Sequence, residues 1–424
     1  MVNKTKVINA QIIGNSGKIL EKTEFEIENG RFVESLTNEV DAVEVLDLKG
    51  KFITPGLIDA HVHVMSDCSA DPFHIESESD KFYLAAVAVQ NSHRFISKGV
   101  TTVRDLGGID FGEMGIKRAI DSGLIPGPRM LTSGKILTMT GGHGWYFGQE
   151  IDGADEARKY ARLNIKMGAD NIKMMASGGV MTPNCDPRMA SLTIDELSAG
   201  FEVASTLGKT SASHAQSNEG VKNAIKAGVR TIEHGFWLDQ EACDMMNERG
   251  IFFTVTFAAA ERFLELGEQF MIPEYMLDKI KMAREDHIKS FELALKNGVK
   301  IIAGTDAGTP FNDPGDLWFE MQLMKNRGMS SNNALLAATS LGAEALNLGN
   351  QIGKVEPGLI ADFVVLDSNP LDNFEILESP NAVYIAGKRQ NIQQFPRYSE
   401  VHSPGQHQLT SAGTRISNTG CACC

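Results

Sequence analysis

The sequence has few cysteines, and their placement argues against a disulfide framework. Six cysteines occur in 424 residues, and three of them, Cys421, Cys423 and Cys424, lie within the last four positions. The other three are scattered along the chain, whereas disulfide-stabilised domains carry many cysteines at short spacings. We therefore expect a fold held together by its apolar core, in a reducing, cytoplasmic compartment.

Basic residues and long apolar runs are also scarce. The 40 Lys and Arg residues are outnumbered by 54 Asp and Glu residues, which gives a net charge of −14. A nucleic-acid partner requires a cationic surface, and a membrane span requires roughly 20 consecutive apolar residues. The N-terminus also lacks the apolar stretch of a signal peptide. We expect no nucleic-acid partner and no membrane partner.

Both ends of the sequence are rich in predicted strands. Apolar and polar residues alternate at positions 6–13 and 25–33, and Asn29-Gly30 is typical of a two-residue hairpin turn. Similar short runs, separated by Gly and Pro, occupy residues 352–367 and 381–388. These patterns predict β-structure at the two ends and a different organisation between them.

The middle of the sequence, residues 56–349, alternates short apolar runs with segments of helix length. This arrangement is typical of repeated βα units that build a parallel sheet. The predicted strands are residues 57–63, 100–105, 129–133, 171–176, 210–215, 230–234, 251–256 and 300–306. Eight βα units in a segment of this length predict an α/β fold, a (β/α)8 TIM barrel with loop insertions.

Residues that can bind a divalent metal lie near the C-terminal ends of five predicted strands. They are His61, His63, Lys173, His214, His234 and Asp306. Catalytic residues of such barrels lie at this end of the strands, so distant segments converge there. The chain has only ten histidines, and four of them occupy these positions. Imidazole and carboxylate ligands suit zinc and similar ions, which predicts a metal site.

Lys173 has two interpretations at this stage. Strand alternation directs it toward the interior, where an unpaired ammonium is costly. It is either an ammonium paired with a carboxylate or a lysine that has reacted with carbon dioxide to form a carbamate, which is an anionic ligand for two metals. Spacing alone does not choose between them.

Several motifs together resemble the amidohydrolase superfamily. Thr54-Pro-Gly-Leu-Ile-Asp-Ala-His-Val-His63 matches its signature, and the likeness continues through the later predicted ligands into residues 353–366. The resemblance implies a small composite β-sandwich built from residues 1–55 and 350–392 beside the barrel. It also implies two divalent ions, by expectation Zn²⁺, bridged by a carboxylated Lys173 and a hydroxide. His61, His63 and Asp306 would bind one ion, and His214 and His234 the other.

Within the superfamily, residues 141–144 and 171–180 resemble the branch of Xaa-Pro dipeptidases, carboxypeptidases that release Arg or Lys, and ochratoxin-type amidases. We therefore predict cleavage of a dipeptide or N-acyl amino acid, first of all an Xaa-Pro dipeptide. A cyclic amidase similar to imidazolonepropionase is the alternative, as is an amidase or carboxypeptidase that releases Arg, Lys or Phe. Asp306 would transfer the proton, and His143 would donate to the oxyanion.

Substrate contacts are predicted at three further residues. Arg188 would pair with a substrate carboxylate. Tyr146 would form an apolar wall, although packing of its loop onto the barrel is the favoured role, and Trp237 would lie near the mouth of the barrel. Residues 393–424 are poor in apolar side chains and predict a disordered tail. The resemblance also implies a homo-oligomer.

Overall fold

The structure, a computed structural model, describes residues 4–14, 18–20, 23–35 and 43–401. Its strands are β1 (Lys4–Ile8), β2 (Gln11–Ile12), β3 (Phe25–Glu28), β4 (Arg31–Val33), β5 (Glu44–Asp47), β6 (Phe52–Pro55), β7 (Leu57–Val62), β8 (Val100–Asp105), β9 (Arg129–Leu131), β10 (Leu137–Thr138), β11 (Gln149–Glu150), β12 (Asn171–Met175), β13 (Thr210–Ala215), β14 (Thr231–His234), β15 (Phe252–Thr254), β16 (Lys300–Ile302), β17 (Phe363–Leu366), β18 (Ala382–Ile385) and β19 (Lys388–Arg389).

The helices connect and cover these strands. They are α1 (Pro72–Glu78), α2 (Lys81–Ser97), α3 (Gly112–Asp121), α4 (Ala154–Met167), α5 (Ile194–Thr206), α6 (Asn218–Lys226), α7 (Gln240–Arg249), α8 (Phe257–Leu266), α9 (Glu274–Lys296), α10 (Leu317–Asn326), α11 (Ser331–Ala337), α12 (Ser340–Ala345) and α13 (Tyr398–Val401), with a 3₁₀ helix at Phe374–Glu378. Across the described residues, no helix combines the length and apolarity needed to cross a bilayer.

Two parallel sheets occupy the middle of the chain. One has the strand order β7-β8-β9, and the other has the order β11-β10-β12-β13-β14-β15-β16. Helices cover them, as parallel sheets require, and most residues of these strands are buried. All eight predicted strands are present, so the α/β class with a parallel sheet is confirmed. The two-residue strands β10 and β11 were not predicted, because so short a run gives no periodic signal.

Backbone hydrogen bonds join these two sheets at two places. The amide of Asn171 donates to Thr132 O (3.2 Å), which connects the end of β9 to β12. The amide of Asp306 donates to His61 O, and the amide of His63 donates to Ala307 O, each at a distance of 2.8 Å. These bonds connect the end of β7 to the segment after β16. The second connection brings the first and last predicted metal-binding segments side by side.

The two ends of the chain meet in a second pair of sheets. One has the order β4-β3-β1-β5, and the other, β19-β18-β17-β6-β2, combines strands from both ends. Phe25 of the first sheet packs edge-on against Phe363 of the second, with ring centroids 5.4 Å apart. The predicted hairpin at Asn29-Gly30 is confirmed, because β3 and β4 pair across it and both residues have positive φ, 53° and 77°.

Residues 393–401 differ from the predicted disordered tail. Tyr398 is buried, and its amide donates to Asp313 Oδ1 over 2.9 Å. Arg397 pairs with buried Asp316. The sequence did not reveal this docking because it depends on a few specific polar contacts rather than on an apolar periodicity. The remainder of the predicted tail lies outside the described residues.

Candidate metal centre and active site

A cavity opens at the C-terminal ends of the parallel strands. It encloses about 640 Å³ of space between atoms, part of it open to solvent. All six predicted metal ligands line it, together with the predicted His143: His61, His63, Lys173, His214, His234 and Asp306. The structure therefore brings together side chains that are up to 245 positions apart in the sequence, since 306 − 61 = 245.

His61 and His63 follow the alternation of β7 and point to one side of it. Their Nε2 atoms each lie 3.3 Å from Asp306 Oδ1. Their Nδ1 atoms face the opposite way: His63 Nδ1 lies 3.0 Å from Gly107 O, and His61 Nδ1 lies 3.1 Å from Glu233 Oε2. A carbonyl or a carboxylate can only accept, so both Nδ1 atoms carry the proton. In a neutral ring the free lone pair is then on Nε2, the nitrogen that lies near Asp306 Oδ1 in both residues.

His214 and His234 show the same division of roles. His214 Nε2 lies 2.9 Å from Gly178 O, so it donates and leaves Nδ1 free. His234 Nδ1 lies 2.8 Å from the Thr256 hydroxyl, which itself donates to Val255 O over 2.7 Å. The hydroxyl must then accept from Nδ1, which leaves His234 Nε2 free. The rings of His214 and His234 are 4.6 Å apart between centroids.

Backbone conformation at the strand ends directs two of these side chains. His234 and Asp306 both have positive φ, 77° and 60°, which is uncommon for residues other than glycine. At β14 this turn allows Glu233, inside the sheet, and His234, the next residue, both to point toward the site. Such strain concentrates at functional sites, where the surrounding structure holds it in place.

The electrostatic state of the site suits a cation. Burial lowers the pKa of His61 to about 4, and it lowers the pKa values of His214 and His234 well below the usual value. Burial raises the pKa of Asp306, but the neighbouring His61, His63 and Lys173 outweigh it and bring the pKa to about 2. The imidazoles of His61, His214 and His234 are therefore neutral and the carboxylate is charged, as metal ligands must be.

Lys173 lies in β12, opposite Ala212 of β13, and its side chain is 1% exposed. Burial lowers its pKa to about 8, although Glu233 and Asp306 act to raise it. No hydrogen bond or ion pair of its Nζ is found among the described residues. An ammonium on Lys173 would therefore have no ion-pair partner in the described part of the chain.

The donor set fits a divalent metal. Ligand atoms of His61, His234 and Asp306 all lie within 4.8 Å of one another. Asp306 Oδ1 is buried and has no hydrogen-bond donor among the described residues, which is costly unless a cation completes it. Neutral imidazoles with a carboxylate are the ligands that zinc and related ions prefer.

A buried layer behind the ligands was not predicted from the sequence. Glu233 accepts a hydrogen bond from Arg104 Nη2 (3.0 Å), and its other carboxylate oxygen lies 3.1 Å from His61 Nδ1. Arg104 in turn donates to Ala60 O over 2.7 Å, and Glu233, Arg104 and Ala60 are fully buried. Carboxylate partners of this kind fix the orientation and the tautomer of a metal-binding histidine. Glu233 directly precedes the predicted ligand His234, but strict strand alternation would place the two on opposite faces.

His143 lies against the same cavity. Its Nδ1 is 2.9 Å from the Thr182 hydroxyl, which also accepts from Gly144 N over 2.9 Å. The Thr182 hydroxyl can donate its own proton to His143 Nδ1, and in that arrangement the imidazole proton lies on Nε2. Burial lowers the pKa of His143 to about 3, with Lys279 and Lys173 adding to the effect, so the ring is neutral. A neutral ring with a proton on Nε2 can donate to an oxyanion.

The remaining cavity wall is largely apolar. It consists of Phe73, Phe147, Met175, Val180, Met181, Phe236, Ala259, Ala260, Phe263 and Ile280, with Gln216, Thr256 and Thr309 as polar additions. The side-chain oxygen of Gln216 is buried without a hydrogen-bond donor among the described residues. The sequence analysis did not predict Gln216, although its position two residues after the predicted ligand His214 could have identified it.

None of the three predicted substrate contacts lines this cavity. Arg188 is exposed and forms two hydrogen bonds to Asp186, over 3.0 and 2.7 Å. Trp237 donates to Asp286 Oδ2 over 3.0 Å, and Tyr146 packs in the apolar cluster around the cavity. Tyr146 and Trp237 therefore pack against the apolar cluster around the cavity, and Arg188 lies at the surface.

Comparison with known proteins identifies the class. The profile of the amidohydrolase family matches residues 52–389, so the chain belongs to this family. An ochratoxinase from Aspergillus niger is 31% identical over 367 residues, covering 78% of this chain and 73% of the ochratoxinase. The crystal structure of a Xaa-Pro dipeptidase with bound methionine matches with a TM-score of 0.82 and 28% identity, covering 92% of this chain and 100% of that one.

A putative prolidase from Bifidobacterium longum is similar to the same extent. Its structure has a TM-score of 0.80 and 29% identity, and the match covers 93% of this chain and 97% of the prolidase. Together these relationships show that the chain is a hydrolase of amide bonds. They also support the predicted branch of the family, whose solved structures include Xaa-Pro dipeptidases.

Proposed function

We propose that the protein is a two-metal hydrolase that cleaves the amide bond of a dipeptide or an N-acyl amino acid. One observation carries the proposal: four histidines, Asp306 and Lys173 line a single cavity, and the Nε2 atoms of His61 and His63 both lie 3.3 Å from Asp306 Oδ1. The membership of the amidohydrolase family supports it.

The ligands divide into two groups around Lys173. His61, His63 and Asp306 would hold one Zn²⁺ ion, His214 and His234 the other, and a carbamate on Lys173 would bridge them. Bound divalent ions of this kind polarise a carbonyl and lower the pKa of water, so that hydroxide forms near neutral pH. The lowered pKa of Lys173, about 8, raises the fraction of free amine that can react with carbon dioxide.

Two side chains would handle protons and charge during the reaction. Asp306 accepts the proton of the attacking water and returns it to the departing amine nitrogen. His143 donates its Nε2 proton in a hydrogen bond to the carbonyl oxygen as negative charge develops there. A hydrogen bond donated by the Thr182 hydroxyl to His143 Nδ1 would keep the proton on Nε2.

The cavity wall favours an apolar leaving amino acid. Apart from imidazoles, Lys173 is the one basic side chain among the described residues that line the cavity. A pyrrolidine ring packs well against the Phe, Met and Ala side chains, so we propose an Xaa-Pro dipeptide as the first substrate to test. The apolar wall also favours a leaving Phe over a leaving Arg or Lys, which would bring a cation into it.

The function is tested by a substrate screen with the zinc-loaded protein. Xaa-Pro dipeptides, N-acyl-Phe, N-acyl-Arg, N-acyl-Lys and a cyclic imidazolone would be compared, with free amino acids and ammonia as readouts. We expect release of Pro or another apolar amino acid without ammonia. Turnover of the cyclic substrate alone would support the alternative activity, and a metal-loaded protein that releases nothing would overturn the proposal.

We also propose how the chain divides. The hydrogen bonds between the two parallel sheets support a closed (β/α)8 barrel over residues 56–349. The shared sheets of the two ends support a composite β-sandwich from residues 1–55 and 350–392.

A further inference from the structure

A single lysine of α9 holds the loop that follows β12. Lys279 Nζ donates to three carbonyl oxygens of this loop: Gly179 O (3.1 Å), Thr182 O (2.7 Å) and Cys185 O (2.8 Å). An ammonium has three protons, so the donor capacity of Lys279 is fully used by one loop. One turn earlier on the same helix, the Tyr275 hydroxyl donates to Met181 O over 2.9 Å.

The loop held in this way is in direct contact with His143. The Thr182 hydroxyl lies 2.9 Å from His143 Nδ1. Gly179 lies flat against the ring, because a Cβ atom at that position would come within 2.5 Å of His143 Nε2. Val180 and Met181, between these two contacts, form part of the cavity wall. The position of the loop therefore sets both the orientation of His143 and the shape of the cavity.

The environment of Lys279 differs from that of a lysine in an ordinary surface ion pair. It is half-buried, and no ion pair of its ammonium is found within the described part of the chain. Its three bonds go to neutral carbonyls, each of which would lose its charged donor if Lys279 were replaced. Hydrogen bonds to a charged group are stronger than neutral ones, and buried acceptors that lose a donor are costly.

We propose that Lys279 is a positioning residue that acts through residues 179–185 on His143 and on the apolar wall of the cavity. Its catalytic consequence rests on the proposed function. Lys279 does not line the cavity and touches none of the proposed metal ligands, so its removal should alter the loop and the reaction while leaving metal binding unchanged.

Lys281 offers a matched control on the same helix. It is exposed, and its ammonium lies 3.2 Å from Glu268 at the surface. Lys279→Met and Lys281→Met remove the same charge two residues apart and keep a long apolar side chain. Lys279→Arg tests whether another cationic donor restores the wild-type behaviour.

The experiment measures three properties of these variants as full-length, zinc-loaded proteins. Lys279→Met should speed amide hydrogen exchange of residues 178–186, lower kcat by roughly 10-fold through a misplaced oxyanion donor, and leave metal content at the wild-type level. Lys281→Met should match the wild type in all three. Lys279→Arg should recover most of the lost kcat.

The readouts separate this inference from the proposed function. If the wild-type protein bound no metal and hydrolysed no substrate, the proposed function would be wrong. The hydrogen exchange of residues 178–186 would then be the only test of the role of Lys279. Equal exchange in Lys279→Met and Lys281→Met would overturn the inference. Faster exchange with unchanged kcat in an active enzyme would also overturn it, because the loop contact would then be structural only.

Discussion

Glu233 Oε2 lies 3.1 Å from His61 Nδ1, while the other oxygen of the same carboxylate accepts from Arg104 over 3.0 Å. The pKa of Glu233 is lowered because Arg104 and His61 outweigh the effect of its burial. A buried, charged carboxylate thus fixes the tautomer of His61 and directs its Nε2 toward the cavity. The orientation of this proposed ligand depends on a residue that would not itself touch the metal.

Replacement of this carboxylate should weaken metal binding. Glu233→Gln can still contact His61 but removes the negative charge that neutralises Arg104. We expect metal affinity to fall by about 10- to 100-fold, measured by competition with a chelator. Glu202→Gln, on the exposed face of α5, is the control and should retain wild-type affinity. Because an unpaired buried Arg104 also destabilises the fold, circular dichroism should accompany the measurement. Wild-type affinity in folded Glu233→Gln would refute this role.

Lys173 should be needed for a full metal complement. We expect about two divalent ions per chain in the wild type, by elemental analysis, and fewer in Lys173→Ala, with turnover lost in both Lys173→Ala and His61→Ala. A carbamate also requires dissolved carbon dioxide. Metal-free protein should therefore regain activity faster with bicarbonate than in degassed buffer.

The control for this prediction is Lys166→Ala, on the outer helix α4. It should bind and reconstitute like the wild type. Active wild-type protein without stoichiometric metal would exclude the two-metal site, and reconstitution that ignores bicarbonate would exclude the carbamate.

The sequence predicted what depends on periodicity and on motifs. The strands of the parallel sheets follow from apolar runs bounded by Gly, and the convergence of His61 with Asp306 follows from the geometry of parallel strands. It could not predict contacts that depend on atomic packing. Arg188 lies at the surface, where it pairs with Asp186, and the amide of buried Tyr398 donates to Asp313, 85 positions away in the sequence.

Glu233 shows a second kind of limit. Period-two alternation assigns it to the face opposite His234, and this rule holds only while the backbone remains extended. The positive φ of His234 ends that regularity at the last residue of β14. Strained residues at strand ends are therefore where sequence reasoning fails and where the site is built.

A buried carboxyl group of α3 should make stability depend on pH. Glu113 accepts from Gly134 N over 3.0 Å, and its other oxygen is buried without a donor among the described residues. Burial, with the nearby Asp105 adding to it, raises the pKa of Glu113 from 4.5 to about 8. The folded protein therefore holds this proton after the unfolded chain has lost it. Stability from Glu113 is complete below about pH 4.5 and is lost as the pH rises toward 8.

The measurement is the free energy of unfolding between pH 5 and 9. In the wild type it should fall with pH by up to roughly 1.4 kcal/mol per unit from this group. Glu113→Gln should show a shallower slope, because it has no proton to lose, while the exposed Glu248→Gln on α7 should follow the wild type. Parallel curves for Glu113→Gln and the wild type would show that the carboxyl group titrates normally.

Replacement of Asp306 should lower the catalytic rate much more than the metal content. Asp306→Asn keeps an oxygen that can face His61 and His63, but an amide cannot accept and return a proton. We expect metal content close to that of the wild type and a fall in kcat of about 100- to 10,000-fold, with KM little changed. Asp278→Asn, on the exposed face of α9, controls for the loss of a charge.

The pH dependence of kcat distinguishes this role from simple damage to the site. If Asp306 is the base, the residual rate of Asp306→Asn should lose the acidic limb of the wild-type profile, because that limb reports protonation of the missing group. A uniformly reduced rate with the acidic limb intact would assign proton transfer to another residue. Full activity of the variant would remove Asp306 from the chemistry and leave it as a metal ligand alone.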